Sequence, residues 1–186
     1  MTVESMIQDT LREGLGFYKQ QYVAFIIGAI IAAIGSIFII TAPPLMFGVY
    51  YMALKIMRGE KAEINDVFRG FDYFITSWVM FIVGFIAVLI GLVCLIIPGL
   101  FLIVVFQYAA PIAMMEKKGG IDALKRSYAL GRENLAYSVV LLIALTVING
   151  IAGLIPFLRL ITAPYTVLAT CVAAQKLTAQ EPKKTA

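Results

Sequence analysis

Three stretches of this chain carry almost no charge: Gln20–Leu54, Tyr73–Met115 and Asn134–Gln175, the last interrupted only by Arg159. Each is about twice the ~20 apolar residues that a helix needs to cross a bilayer. Each is broken near its middle, at Pro43, at Pro98-Gly99 and at Pro156. Backbone in hydrocarbon must satisfy its own hydrogen bonds, and a helix does so within one segment. The pattern predicts an all-α integral membrane protein with six spans arranged as three hairpins. The spans fall at Gln21–Ile40, Pro44–Met57, Phe74–Leu95, Leu100–Met115, Leu135–Ile155 and Phe157–Lys176.

Charged residues make up 14% of the chain, against roughly a quarter in soluble domains. That leaves no room for a separate soluble domain. Residues 1–180 read as one transmembrane domain, with a short tail over 177–186. Met1–Lys19 lacks an apolar core followed by a small-residue cleavage site, so it does not read as a removable signal peptide. Cys94 and Cys171 read as packing residues, not as a disulfide or metal pair.

The charges orient the spans. Of the 15 Lys and Arg residues only Arg159 falls at a hairpin turn, and all 11 acids share the other face with the rest. Basic residues mark the cytoplasmic side, so both termini are expected there, in a multi-pass plasma-membrane protein. The same rule accounts for the net charge of +4 without nucleic acid as a partner. Tyr18, Tyr22, Tyr73, Trp78 and Tyr137 lie near the inner span ends, where aromatic belts form.

Arg12, Arg69 and Arg126 recur at a period of 57 residues, as do Ile7, Ile64 and Ile121. The units fall at about 3–59, 60–117 and 118–176. A period of this size means one supersecondary unit copied. Each unit is a short amphipathic segment followed by a hairpin, and the hairpins are expected to pack with pseudo-threefold symmetry. In the three segments Ile7 and Tyr18, Val67 and Phe71, and Leu124 and Tyr128 lie opposite the charges. That is the pattern of a helix lying in the membrane interface. Arg12, Arg69, Lys125 and Arg126 are the candidate contacts to lipid headgroups or a partner protein. Asp9, Asp66 and Asp122 each precede a base by three residues, which favours pairing within the segment over a shared divalent-cation site.

Inside the spans, small residues recur at helical spacing: Ala24, Gly28, Ala32 and Ser36; Gly84, Ala87 and Gly91; Ala169 and Ala173. Such stripes let helices approach closely, and any stripe left facing lipid is open to a homo-oligomer contact. Pro111 and Pro164 are expected to kink their helices. Gln107, Thr146 and Asn149 are the deepest strongly polar side chains, and they are the candidates for a polar cavity or for bonds to a neighbouring helix. Lys55 and Arg159 sit near enough to an interface to snorkel. The spans hold no acid, and the chain has no His. Ion-coupled carriers ordinarily place an ionisable group at mid-membrane, and acid–base catalysis most often uses His. Neither an enzyme nor a cofactor is expected.

The run from Ala110-Pro111 through Glu116 and Gly119-Gly120 to Ala123-Leu124-Lys125-Arg126-Ser127 resembles the signature of a broad prokaryotic six-span superfamily. That superfamily includes the membrane domain of some glycerophosphodiester phosphodiesterases and several small families of unknown function. The resemblance implies an archaeal or bacterial plasma-membrane bundle. The phosphodiesterase chemistry belongs to a soluble domain that this sequence does not contain. The expected role is a non-catalytic membrane module that organises lipid or partner proteins; the alternative is a passive pore or facilitator for a small molecule or lipid.

Overall fold

The structure, a computed structural model, describes residues 3–35, 39–154 and 156–184. Ser36 lies outside the described residues, as do the side chains of Arg159, Lys183 and Lys184. The described residues form helices joined by short turns, with no strand among them. In order they are α1 (Val3–Gly35), a one-turn 3-10 helix (Ile39–Thr41), α2 (Ala42–Met57), a longer 3-10 helix (Ile64–Tyr73), α3 (Phe74–Cys94), α4 (Ile96–Phe106), α5 (Ala109–Met115), α6 (Gly120–Glu133), α7 (Leu135–Gly153) and α8 (Pro156–Lys184).

Local chemistry sets the boundaries. α1 breaks at Gln21 (φ −142°, ψ 37°). There the Gln21 side chain donates to the Glu60 carbonyl at 2.7 Å and accepts from the Ala62 amide, tying the break to the following loop. α2 opens with Pro43-Pro44, where missing amides cost no helical hydrogen bond. Gly59 turns the chain after α2 with a φ of +76°, a conformation that favours glycine. α4 ends and α5 begins around Gln107-Tyr108, because Pro111 lacks an amide for the Gln107 carbonyl and its ring crowds that turn. Pro164 produces no such division: α8 runs through it as one helix.

Helices pack in consecutive pairs: the second half of α1 on α2, α3 on α4, and α7 on α8. The small-residue stripes lie at contacts, with Gly28 against Met52, Gly84 against Leu124 and Gly91 against Gly99. Each amphipathic segment then packs on a neighbouring pair. The first half of α1 lies on α8, where Gly14 meets Ala169, and on α7, where Thr10 and Tyr137 share a 2.8 Å hydrogen bond. The longer 3-10 helix lies on α2, and α6 lies on α3, α4 and α5. An ion pair marks each contact: Lys176–Glu13 at 3.1 Å, Lys55–Asp66 at 2.8 Å and Arg126–Glu116 at 3.3 Å. The core is built where α2, α5 and α8 meet the segments, around Met52, Ile56, Val67, Ile112, Leu168 and Cys171, all fully buried.

Two expectations are corrected. The segment at Ile64–Tyr73, expected as a helix lying in the membrane interface, packs along α2 from the Lys55–Asp66 pair to Pro44. The Gly48 and Gly70 backbones make this possible: a Cβ on Gly48 would overlap the Val67 carbonyl, and one on Gly70 the Pro44 carbonyl. Asp66 pairs with Lys55 and accepts the Glu63 amide at 2.8 Å, while Arg69 pairs with Asp72. A partner on the packed helix displaces the intrahelical one. Of the aromatic residues expected near the inner span ends, Tyr18 and Tyr137 are buried in packing and the Trp78 indole donates to the Ile40 carbonyl at 3.1 Å. Of the five rings, Tyr22 is well exposed.

The outer surface is apolar. Ile75, Val93 and Ile97 are each more than three-quarters exposed, and Ile143, Val147 and Ile151 line the outside of α7. Patches this extensive are unusual on soluble monomers and mark contact with another apolar medium.

Candidate functional site

The structure brings Gln107, Thr146 and Asn149 to the wall of one cleft of about 510 Å³, between α2, the α4–α5 break, α7 and α8. Both amides also bond to neighbouring helices. Gln107 Nε2 donates to the Val104 carbonyl at 2.8 Å and, across to α7, to the Ser138 carbonyl at 3.0 Å. Asn149 Nδ2 donates to Thr166 Oγ1 at 2.6 Å, and Thr162 Oγ1 donates to Asn149 Oδ1 at 3.3 Å. Gln107 and Asn149 thus both line the cleft and bond to neighbouring elements. Gln107 Oε1 is buried with no hydrogen-bond partner among the described residues.

A second cleft of about 390 Å³ shares Tyr50 and Gln107 with the first. Its wall is mostly apolar: Met46, Phe47, Met80, Phe81 and Phe106. Tyr50 and Thr166 were not among the sequence candidates. The threonines carry a legible signal, since Thr162, Thr166 and Thr170 recur every fourth residue and so share one face of α8. Tyr50 has none, because a tyrosine between apolar residues looks the same whether it lines a cleft or fills a core.

Two smaller grooves lie beside the amphipathic segments. One, of about 330 Å³, runs between the α1 break and the loop before the longer 3-10 helix, lined by Tyr22, Val23, Ile27, Lys61 and Ile64. The other, of about 320 Å³, runs between α3, α4 and α6, lined by Val83, Phe106, Ile121, Lys125 and Tyr128. Ile64 and Ile121 are in register in the sequence repeat. Each groove thus has an apolar floor and one exposed lysine.

The other headgroup candidates divide. Arg12 and Arg69 are exposed, and Arg69 meets Asp72 at 3.4 Å. Arg126 is partly buried against Glu116, which Lys118 also meets at 2.9 Å. Burial alone would raise the Glu116 carboxyl, but hydrogen bonds from Lys118 and Arg126 outweigh it and hold it below the usual glutamate value. Asp9, Asp66 and Asp122 do not gather: among the described residues no three acids or cysteines are grouped to hold a metal ion.

Four helical stretches are long and apolar enough to cross a membrane: Val3–Ala32, Ile64–Cys94, Ile96–Met115 and Leu135–Gly153. With their exposed apolar flanks they define an all-helical membrane protein. The chain belongs to the family described as a domain of unknown function, DUF7847, whose model matches residues 10–183. Neither the curated proteins nor the solved structures give a match.

Proposed function

We propose that this protein is a six-span, non-catalytic module of a prokaryotic plasma membrane that organises membrane lipid through its amphipathic segments. α2 and α8 supply the two crossings beyond the four long apolar stretches. At 16 residues α2 is about 24 Å long, short of the ~30 Å hydrocarbon core, a mismatch that local thinning of the bilayer accommodates. The consecutive helix pairs, each joined to an amphipathic segment by an ion pair, support the three-unit repeat and its kinship with the broad six-span superfamily. The distribution of basic residues supports cytoplasmic termini.

The observation that carries the lipid reading is the pair of grooves that each set one exposed lysine, Lys61 or Lys125, beside apolar residues. An acyl chain fits the apolar floor while the lysine meets an anionic phosphate. A basic residue near an anionic surface gains about 1 kcal/mol, so each lysine raises retention roughly fivefold. Native mass spectrometry of protein released from bilayers of equimolar phosphatidylglycerol and phosphatidylcholine reads this directly. Phosphatidylglycerol is expected to be retained preferentially, and the double variant Lys61→Gln, Lys125→Gln to lose most of that preference. Equal retention of both lipids by the native protein contradicts the proposal.

The larger cleft favours the passive facilitator as the second reading. Against it, the core around Met52, Ile56, Ile112 and Leu168 is fully buried and tightly filled. Solute flux in proteoliposomes that Asn149→Leu abolishes would place the facilitator first.

A further inference from the structure

We propose that the two adjoining clefts form one site for a single uncharged, hydroxyl-bearing lipid of the diacylglycerol type. Its hydroxyl would lie among Gln107, Asn149 and Thr146, and its chains along Met46, Phe81 and Phe106. The clefts adjoin at Tyr50 and Gln107, which line both, and the proposed molecule would reach from one to the other past these two side chains. Their volumes, about 510 and 390 Å³, each fall within the ~300–1,000 Å³ of small-molecule pockets. The first has Gln107, Thr146, Asn149, Thr166 and Thr170 in its wall, and the second is lined mainly by Met, Phe and other apolar residues. An amphiphile matches that division.

The chemistry narrows the occupant further. Neither cleft has an Asp, Glu, Lys or Arg among its described lining residues. A phosphate or carboxylate there would be a buried charge without a partner, which costs far more than a neutral polar group. Gln107 supplies the demand for a hydroxyl. Its amide hydrogens are committed to the Val104 and Ser138 carbonyls. Turning the amide over would set its oxygen against those carbonyls. Oε1 is therefore fixed as an acceptor, and it is buried without a donor. An unmet buried acceptor carries a desolvation penalty that an O–H group removes. Thr146, exposed at the cleft, adds a hydroxyl that can donate or accept.

Trp78 is the single tryptophan and stacks edge-on against Phe81 of the apolar cleft, with ring centroids 6.0 Å apart. It reports on a brominated chain in that cleft by quenching. Full-length protein is reconstituted in phosphatidylcholine carrying a small, titrated fraction of brominated diacylglycerol, phosphatidylcholine or phosphatidic acid. Brominated diacylglycerol is expected to quench Trp78 at a lower fraction than the other two. Gln107→Leu should raise its half-quenching fraction about tenfold, the effect of losing one buried hydrogen bond. Thr146→Val, a near-isosteric change at an exposed position, should raise it less, and it serves as the second variant where Gln107→Leu fails to fold. Equal quenching by all three lipids, or stronger quenching by phosphatidic acid, overturns the proposal, as does a half-quenching fraction unchanged in both variants. The site shares no lysine with the two grooves, so Lys61→Gln, Lys125→Gln should leave diacylglycerol quenching unaltered whatever becomes of the anionic-lipid reading.

Discussion

Gly48 and Gly70 carry more of this structure than their size suggests. Each lets the backbone of Ile64–Tyr73 lie directly on α2. Overpacking a side chain costs about 1–3 kcal/mol when neighbouring side chains can shift. Here the obstacle is main chain, so Gly48→Ala or Gly70→Ala should cost at least about 3 kcal/mol. Thermal unfolding in detergent should show a large drop or loss of the folded species. Gly16, which has nothing within 4 Å of where a Cβ would lie, should tolerate alanine. Glu116 gives a second prediction at this scale. Its carboxyl is held below the usual 4.5, with burial opposing the Lys118 and Arg126 hydrogen bonds that prevail. The stabilisation is therefore complete above the usual value and lost as pH falls through the lowered one. Glu116→Gln should lower stability by about 1–2 kcal/mol at neutral pH. The gap between variant and native protein should close in unfolding measurements as pH falls through the lowered value. Residues such as Gln107, Thr146 and Asn149 were legible in the sequence because an amide or hydroxyl deep in an apolar chain must find partners. Asp66 was misread because Arg69 is its near neighbour in sequence, whereas Lys55 is its neighbour once α2 is packed.

Among the elements, the first half of α1 shows how packing redirects an amphipathic pattern. Its apolar face suits a membrane interface, yet Ile7 and Tyr18 are buried against the bundle. Gly14 allows this, because a Cβ there would stand 3.3 Å from the Ala169 Cα. A bulky Gly14→Leu should lift the segment from α8 and break the Thr10–Tyr137 bond. Hydrogen exchange over residues 3–18 should then accelerate at least tenfold while α3 and α4 keep their protection. Unchanged exchange would mean that the segment is held from its other end. The break at Pro111 was legible because proline acts locally on its own helix. The course of Ile64–Tyr73 was not, because a short amphipathic helix can cover lipid or protein and only the opposing glycines decide between them. The division of roles also appears here: Ile64 and Phe68 of this segment stay exposed while Val67 is buried on α2.

For the molecule as a whole, the proposal rests on six crossings with cytoplasmic termini. Four helical stretches are long and apolar enough to cross, and the proposal adds α2 and α8 to them. Cysteine accessibility in intact cells tests this most directly. In a Cys94→Ser, Cys171→Ala background, single cysteines at Ile97 and Leu154, which are 79% and 82% exposed, should react with an impermeant thiol reagent. Cysteines replacing Lys61, which is exposed, and Lys118, which is partly exposed, should react only after the cells are opened. Labelling of Lys61→Cys and Lys118→Cys in intact cells, with Ile97→Cys and Leu154→Cys protected, would contradict the orientation. Protection at one of Ile97→Cys and Leu154→Cys with reaction at the other would contradict the six crossings themselves.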